Sequence, residues 1–338
     1  MIREAIPKLI EGSDLNFNQM QAVMEEIMLG KASAVQISSF ITAMRIKGET
    51  IDEITAATSV MRSFASKIPC RDEAVLDTCG TGGDNKGTFN ISTIAAFVAA
   101  GAGVSVAKHG NRSVSSSCGS ADLLEALGVN INRNVKQLCD SLRDIGIAFL
   151  FAPNLHPAMK YAQPVRRELG VKTIFNILGP LSNPACARHQ LIGVYERGLT
   201  EVFARVLKNL GSKHALIVHG ADGLDEITTI GPTYVCELKK GKITSYIFDP
   251  RNLGIKKPAF KDLVSSSIKS NLRIALMVLK GKKGPQRDIV LLNAAAALYA
   301  ADKVKSIKDG LKIASESIDS GRAFEKLSQL KEYSLREQ

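Results

Sequence analysis

The sequence predicts an α/β protein, in which a small all-helical domain precedes a large domain with a central, mainly parallel sheet flanked by helices. In the first ~65 residues, apolar side chains recur at helical spacing between capping residues and stop signals. From residue 74 onward, short apolar runs alternate with helical patterns, which is typical of parallel strands joined by helices. The length of 338 residues allows one large domain or two unequal ones.

The helical unit contains three clear helix starts, at Asn16, Ser33 and Thr50. Ser33 and Thr50 are each followed three residues later by Gln or Glu, so both fit the capping box, in which two side chains satisfy each other's free amides. The helix that Asn16 caps is expected to reach Leu29, and the unit is expected to end near Ser66.

The α/β part is predicted from short apolar runs and from the helical patterns between them. The candidate strands are 74–77, 104–108, 147–151 and 215–219. The candidate helices are 91–100, 120–127, 135–145, 199–210 and 287–303.

Composition and charge restrict the class of protein. A net charge of +11, spread along the chain, suits anionic partners such as phosphates, carboxylates or nucleic acid. The six cysteines form no C-x-x-C pair, and the N-terminus has no secretory apolar run, so we expect reduced thiols in a cytoplasmic protein. The apolar window 91–107 is too short and too interrupted for a membrane span, and it predicts a buried helix followed by a buried strand.

A glycine-rich stretch follows the first candidate strand, from Gly80 to Asp84 (GTGGD). Ligands of open parallel sheets bind beyond the carboxyl ends of the strands, and glycines let backbone N–H groups approach phosphate oxygens. The stretch lacks the Lys-Ser/Thr ending of a P-loop and the spacing of a dinucleotide fingerprint. It is either a phosphate-binding loop or a glycine-rich turn in which Ser92 caps the next helix, and we favour the first interpretation.

A second polar cluster, residues 108–120, follows the next candidate strand. It combines Lys108 and Arg112 with His109, two glycines and five serines, a density of anion-binding groups that a solvated loop does not explain. We also expect Ser120 to cap the helix that begins at Ala121.

Two further segments carry notable charged residues, an acidic pair and an arginine pair. Asp225 and Glu226 lie on a glycine-containing loop after the strand 215–219, and such hard oxygen ligands suit Mg²⁺ bridged to substrate phosphates, although an isolated acidic pair is more often solvated. The pair Arg166-Arg167 is typical of an exposed helix face, and its composition alone assigns it no site.

Six motifs together resemble those of the anthranilate phosphoribosyltransferase family of tryptophan biosynthesis. They occur in the family's order, cover about 150 residues, and are specific as a set although GTGGD alone would not be. The motifs are GTGGD at 80–84, NIST at 90–93, KHGNRSVSS at 108–116, GSADLLEALG at 119–128, TIFNILGPLSNPA at 173–185 and HGADGLDEIT at 219–228.

The resemblance implies a fold shared with pyrimidine nucleoside phosphorylases and a substrate cleft between two domains. The helical domain would comprise residues 1–68 with an inserted segment at about 166–184, and the large domain 74–165 and 185–338. The implied reaction joins phosphoribosyl pyrophosphate to anthranilate with Mg²⁺, giving N-(5-phosphoribosyl)anthranilate and pyrophosphate. The family also implies a homodimer formed through the helical domain and, in some members, a glutamine amidotransferase partner. We expect no fused amidotransferase domain, because the helical unit starts at the N-terminus.

The resemblance also assigns residues to substrates and metal. The positions that fall on the phosphoribosyl pyrophosphate site are Gly80, Gly83, Asp84, Thr88, Asn90, Ile91, Ser92, Thr93, Lys108, Asn111, Arg112, Ser113, Ser116 and Ser120. Those that fall on the anthranilate contacts are Gly80, Asn111 and Arg166, and those on the magnesium ligands are Ser92, Asp225 and Glu226. His109 lies beside the anthranilate path and is a candidate proton acceptor or binding donor; the residues indicate no strong base.

Three positions depart from the family pattern. Asn85 stands where a glycine is frequent, and Ser117 and Cys118 stand where a basic residue and a serine are usual. The missing cation is expected to weaken the grip on pyrophosphate unless Lys86 compensates, without changing the reaction.

Two other functions remain open at this point. One is a nucleoside phosphorylase on the same fold, although the sequence after Lys108 does not match the phosphorylase loop. The other is a nucleic-acid-binding relative that has lost the transferase activity, which the net charge of +11 permits and the intact substrate motifs oppose.

Overall fold

The computed structural model describes residues 1–69, 74–113 and 118–336. Four helices form the N-terminal unit: α1 (Ile2–Ile10), α2 (Phe17–Met28), α3 (Ala34–Lys47) and α4 (Ile51–Phe64). The side chain of Asn16 caps α2, and the capping boxes predicted at Ser33 and Thr50 are both present at the starts of α3 and α4. Local capping chemistry therefore sets the boundaries of this unit.

The remaining chain alternates strands and helices before it ends in four helices. The strands are β1 (Leu76–Gly80), β2 (Val106–Gly110), β3 (Ile147–Phe151), β4 (His189–Gly193), β5 (His214–Gly220), β6 (Thr233–Lys239) and β7 (Lys242–Phe248). The helices are α5 (Ile91–Gly101), α6 (Ser120–Ala126), α7 (Val135–Ile145), α8 (Ala152–Leu155), α9 (Gln163–Leu169), α10 (Ile174–Leu181), α11 (Leu199–Asn209), α12 (Ile268–Leu279), α13 (Pro285–Ala300), α14 (Ile307–Asp319) and α15 (Arg322–Leu335).

The strands form one seven-stranded sheet in the order β3-β2-β1-β4-β5-β6-β7. The first five strands are parallel, and β6 and β7 are added to β5 as an antiparallel edge. The chain passes from β1 to β2 and β3 on one side and later returns to β4 on the other. The reversal point therefore lies between β1 and β4, where parallel sheets bind ligands beyond their carboxyl ends.

Apolar cores cover both faces of this sheet. One core packs α5 and α12–α15 on one face. The other joins the N-terminal helices, α9, α10 and α11 to the opposite face. The helices α9 and α10, which lie between β3 and β4 in sequence, thus pack with the N-terminal unit on the same face of the sheet.

The window 91–107 forms the predicted buried helix, α5, followed by a buried strand, β2. Within the described ranges, no helix is both long and apolar enough to cross a membrane. The five cysteines that the structure describes are all free, and Cys70 lies outside the described residues.

Candidate active site

Three loops meet at the carboxyl edge of the sheet. They follow β1 (81–90), β2 (described at 111–113 and 118–119) and β5 (221–228), and each carries a motif predicted from the sequence. The loop after β1 and the start of α5 both contact the loop after β5: the amide of Gly82 donates to Asp225 Oδ2 at 2.9 Å, and the amide of Ser92 donates to Glu226 Oε1 at 3.1 Å. The edge therefore joins the glycine stretch and the acidic pair in one site.

The loop after β1 presents free backbone donors. Gly82 and Gly83 have φ values of +62° and +73°, and Asn85 has +55°, so the chain passes through left-handed conformations that glycine and asparagine tolerate. In the described part of the chain, the amides of Gly83, Asp84 and Asn85 have no hydrogen-bond acceptor. Successive free N–H groups in such a turn are an anion-binding arrangement.

The same loop explains one departure from the family pattern. Asn85 replaces a glycine at a left-handed position, and asparagine is the non-glycine residue best suited to that conformation. Gly80 serves a different purpose, because a Cβ there would lie 2.9 Å from Asp225 Oδ2. The small residue lets the acidic loop approach the end of β1.

Three carboxylates converge beside this loop. Burial, followed by the charge of Asp84, raises the pKa of Asp225 to about 7, and burial, followed by the charge of Asp225, raises the pKa of Glu226 to about 8. Asp84 Oδ2 is buried without a hydrogen-bond partner in the described ranges. Hard oxygen donors that repel one another in this way suit a divalent cation, whose charge would relieve the repulsion.

Lys108 lies between the end of β1 and the start of α5. Its buried ammonium donates to the carbonyl of Thr78 and, at 3.3 Å, to Ser92 Oγ. Burial lowers the pKa of Lys108, and the charges of Asp77 and Glu226 act in the opposite direction. The cation is therefore inside the site and next to Ser92, whose hydroxyl was assigned to the metal.

The start of α5 supplies further polar groups. Asn90 Nδ2 donates to the carbonyl of Cys118 and to Asn271 Oδ1, both at 3.0 Å, so this side chain holds the loops together. The Thr93 hydroxyl is buried and, in the described ranges, has no partner, whereas Ile91 is packed in the core and Thr88 bridges to Val264.

The loop after β2 is held by the first turn of α6. Arg112 pairs with Glu125 at 2.5 Å and with Asp122 at 3.1 Å, so its guanidinium is engaged within the protein. Asp122 also accepts the amides of Ser113 and Gly119. The predicted cap at Ser120 is wrong: α6 begins at Ser120 with Gly119 as its N-cap, and Ser120 Oγ donates to the carbonyl of Asn111 at 3.2 Å.

The predicted substrate contact Ser116, and the departure at Ser117, lie outside the described residues. Cys118 is buried, and burial raises the pKa of its thiol to about 11. Lys86 packs against Gly223, where a Cβ would lie 2.8 Å from Lys86 Cε, so a cation is present beside the acidic loop. Its compensating role stays a prediction.

His109 contacts a residue that the sequence did not single out. Its Nδ1 lies 3.2 Å from the carbonyl of Gly179 on α10, and its ring centroid is 5.2 Å from that of His156. Both Nε2 atoms are buried without a partner in the described ranges. Burial lowers the pKa of His109 to about 3 and that of His156 to about 4, so both rings are neutral near pH 7.

Asp77 is a second residue missed from the sequence. It is fully buried at the start of β1 and accepts the backbone amide of His109 on β2 at 3.0 Å. The one available signal in the sequence was its position inside an apolar strand, because a carboxylate buried there needs a partner.

Arg166 lies on α9 with its guanidinium 5.4 Å from the centroid of the Phe175 ring. It is half-buried, burial lowers its pKa, and within the described ranges no carboxylate pairs with it. Its neighbour Arg167 is exposed. A half-buried cation without a carboxylate suits an anionic ligand better than a solvated helix face does.

Comparison with known proteins identifies the family of this chain. Residues 72–324 match the family model described as "Glycosyl transferase family, a/b domain", and residues 3–65 match "Glycosyl transferase family, helical bundle domain". An anthranilate phosphoribosyltransferase of Ruminiclostridium cellulolyticum is 54% identical over 335 residues, which cover 99% of this chain and 98% of the relative. One from Alkaliphilus metalliredigens is 52% identical, covering 98% and 97%.

Solved structures show the same fold. The crystal structure of anthranilate phosphoribosyltransferase from Thermus thermophilus superposes with a TM-score of 0.92 at 40% identity, covering 98% of this chain and 99% of that one. The Saccharomyces cerevisiae enzyme in complex with phosphoribosyl pyrophosphate (PRPP) and Mg superposes with a TM-score of 0.90 at 29% identity, covering 98% and 97%.

Proposed function

The chain belongs to the anthranilate phosphoribosyltransferase family, and on that premise we propose that it transfers the 5-phosphoribosyl group from PRPP to the amine of anthranilate. One observation carries the assignment to this site: free loop amides, a buried lysine and converging carboxylates meet at a single sheet edge. Each of these groups suits a different part of a magnesium-bound pyrophosphate. The products would be N-(5-phosphoribosyl)anthranilate and pyrophosphate, the second step from chorismate to tryptophan.

The phosphates of PRPP would bind to the loop after β1 and to the start of α5. The free amides of Gly83, Asp84 and Asn85 offer directional donors, and the N-terminus of α5 adds partial positive charge. Lys108 supplies a fixed cation in the same place. Arg112 contributes less directly, since its pairing with Glu125 and Asp122 orders the loop that carries Asn111 and Ser113.

Asp225 and Glu226 would hold Mg²⁺, with the Ser92 hydroxyl as a third ligand. The fit rests on the raised pKa values of the two carboxyls and on the partnerless Asp84 oxygen beside them. When bound, the ion would neutralise charge on the pyrophosphate.

Anthranilate would bind on the helical side of the cleft. Arg166 would pair with its carboxylate, and Asn111 and Gly80 would orient the ring. His109 and His156 would form a neutral, polar wall whose Nε2 atoms are free to accept a hydrogen bond from the amine.

The chemistry needs no covalent nucleophile. The bond between ribose C1 and the pyrophosphate oxygen breaks, the ring gains oxocarbenium character, and the amine nitrogen forms the new bond to C1 from the opposite face. Lys108 and the loop amides stabilise the charge of the departing pyrophosphate, while Arg166 positions the amine. His109 is the candidate acceptor for the proton that the amine loses, although its pKa of about 3 makes it a weak base.

Domain limits and assembly are part of the proposal. The packing of α9 on α3 and of α10 on α3 and α4 supports grouping residues 1–68 with about 166–184 as the helical domain, with 74–165 and 185–338 as the large domain. We propose a homodimer formed through the helical unit, where Ile10, Val35 and Ile46 are 72%, 76% and 82% exposed. A cytoplasmic location is proposed on the cysteine pattern, and a glutamine amidotransferase partner on the family resemblance alone.

The test is to mix the protein with PRPP, Mg²⁺ and anthranilate and to follow the loss of anthranilate fluorescence. Loss that requires all three components supports the transferase. No loss, together with tight and salt-sensitive DNA binding, would favour the nucleic-acid-binding alternative. Cleavage of pyrimidine nucleosides by phosphate would favour a nucleoside phosphorylase.

A further inference from the structure

Lys172 reaches the glycine loop from the helical side of the cleft. It lies in the short connection between α9, which carries Arg166, and α10, which carries Gly179. Its ammonium donates to the carbonyl of Gly83 at 2.9 Å. Lys172 is not among the residues that we assigned to the two substrates, and it has no role predicted from the sequence.

The same ammonium contacts the face of the Tyr195 ring. Lys172 Nζ lies 3.5 Å from the centroid of the Tyr195 ring, and the Tyr195 amide donates to Thr81 Oγ1 at 3.0 Å. Both side chains of the lysine–tyrosine pair are half-buried. The loop is therefore held at Gly83 by the Lys172 ammonium and at Thr81 by the backbone amide of Tyr195, the residue whose ring contacts that ammonium.

The hydrogen bond from Lys172 fixes the orientation of a loop peptide. A trans peptide directs its N–H away from its carbonyl, so fixing the carbonyl of Gly83 also fixes the direction of the Asp84 N–H. Gly82 and Gly83 are both in the left-handed region, where glycine has many alternatives, so the loop has little intrinsic preference for this conformation. A charge-assisted hydrogen bond is strong enough to select one of them.

We propose that Lys172 is a positioning residue that holds the glycine loop in its anion-accepting conformation and ties it to the segment that carries Arg166. The proposal rests on the proposed function, because it assigns the loop to PRPP. Lys172 acts before the substrate binds: once pyrophosphate occupies the amides, its oxygens order the loop themselves. Loss of the hydrogen bond between Lys172 and Gly83 should therefore weaken binding of PRPP more than it slows the transfer.

The experiment compares Lys172→Met with Lys160→Met. The methionine at 172 keeps most of the side-chain length without the charge. The matched control removes another lysine from a tyrosine ring, since Lys160 Nζ lies 5.0 Å from the Tyr161 centroid and is exposed. We expect Lys172→Met to raise KM for PRPP about tenfold, with kcat within about threefold of the wild type. Lys172→Arg should recover most of the loss, and Lys160→Met should match the wild type.

Calorimetric titration with magnesium-PRPP, in the absence of anthranilate, should show the same weakening. A folded Lys172→Met with wild-type KM and affinity for PRPP would overturn the proposal, as would a loss confined to kcat. Should thermal unfolding show that Lys172→Met is not folded, Lys172→Gln carries the same expectation. A wild type that binds PRPP but transfers nothing would refute the transferase instead, and the titration would still test Lys172.

Discussion

The imidazole rings of His109 and His156 lie 5.2 Å apart, and each has a buried Nε2 without a partner in the described ranges. The two residues are far apart in sequence, and the contact joins the end of β2 to the segment after α8. Because a buried imidazole nitrogen normally finds a hydrogen-bond partner, the pair indicates a place where a polar ligand completes the structure.

The first prediction concerns acid stability. The folded chain keeps His109 and His156 neutral, with pKa values of about 3 and about 4, whereas the unfolded chain protonates histidine near pH 6.5. The stabilisation is therefore complete above that value and is lost as the pH falls toward the folded values. We expect each histidine to lower the free energy of unfolding by about 1 to 2 kcal/mol between about pH 7 and pH 5.

Urea unfolding at the two pH values, for the wild type and for His156→Asn, measures this effect. The variant should lose less stability on acidification than the wild type. Equal losses would mean that His156 is protonated in the folded protein.

The second prediction concerns Arg166. Arg166→Ala should raise KM for anthranilate about 10- to 100-fold, because it removes a charge-assisted pair with the substrate carboxylate. Arg167→Ala is the matched control, since its side chain is exposed on the same helix. Initial rates against anthranilate concentration distinguish them, and reduced turnover at an unchanged KM in Arg166→Ala would remove it from the carboxylate contact.

The third prediction concerns the acidic pair. The pKa values of Asp225 and Glu226 are raised to about 7 and about 8, so without metal they stabilise the fold at low pH and the stabilisation is lost as the pH rises through these values. The double variant Asp225→Asn, Glu226→Gln should therefore unfold at a higher temperature than the wild type in chelator at about pH 8, with a smaller difference near pH 5.

The same variant should lose the magnesium dependence of turnover. Titration of Mg²⁺ into the transfer assay measures this, and a dependence identical to that of the wild type would show that the ligands lie elsewhere.

The fourth prediction concerns Asn85. Its φ of +55° favours glycine, so Asn85→Gly should keep the loop conformation while Asn85→Ala should cost about 1 to 2 kcal/mol at this position. The cost should appear as a lower unfolding temperature or a higher KM for PRPP in the alanine variant. Equal behaviour of the two variants would mean that the loop relaxes to another conformation.

The sequence prediction succeeded where local side-chain chemistry determines the element. Capping boxes located α3 and α4, and β3 was predicted with the bounds that the structure shows, because its run of apolar residues is buried throughout. The strands β4, β6 and β7 were missed. β4 begins with the buried polar residues His189 and Gln190, and β7 has exposed charged and polar residues, so neither shows a continuous apolar run.

The site was predictable where its residues are close in sequence and hidden where they are not. The loops after β1 and β2 were predicted from their high density of glycines and hydroxyl-bearing residues. Three residues were missed because their roles depend on long-range contacts that no local sequence pattern shows. His156 and Asp77 contact His109, and Lys172 contacts Gly83. Arg166 stood out only through the family resemblance, because a half-buried arginine and an exposed one look alike in sequence.

The stoichiometry of the reaction catalysed by the wild-type chain tests the proposed phosphoribosyl transfer. With PRPP, Mg²⁺ and anthranilate present, we expect one pyrophosphate to be released for each anthranilate consumed. Without anthranilate no pyrophosphate should be released, and without Mg²⁺ neither pyrophosphate release nor anthranilate consumption should occur. Pyrophosphate release without loss of anthranilate, or no reaction with all three present, would refute the proposed transfer.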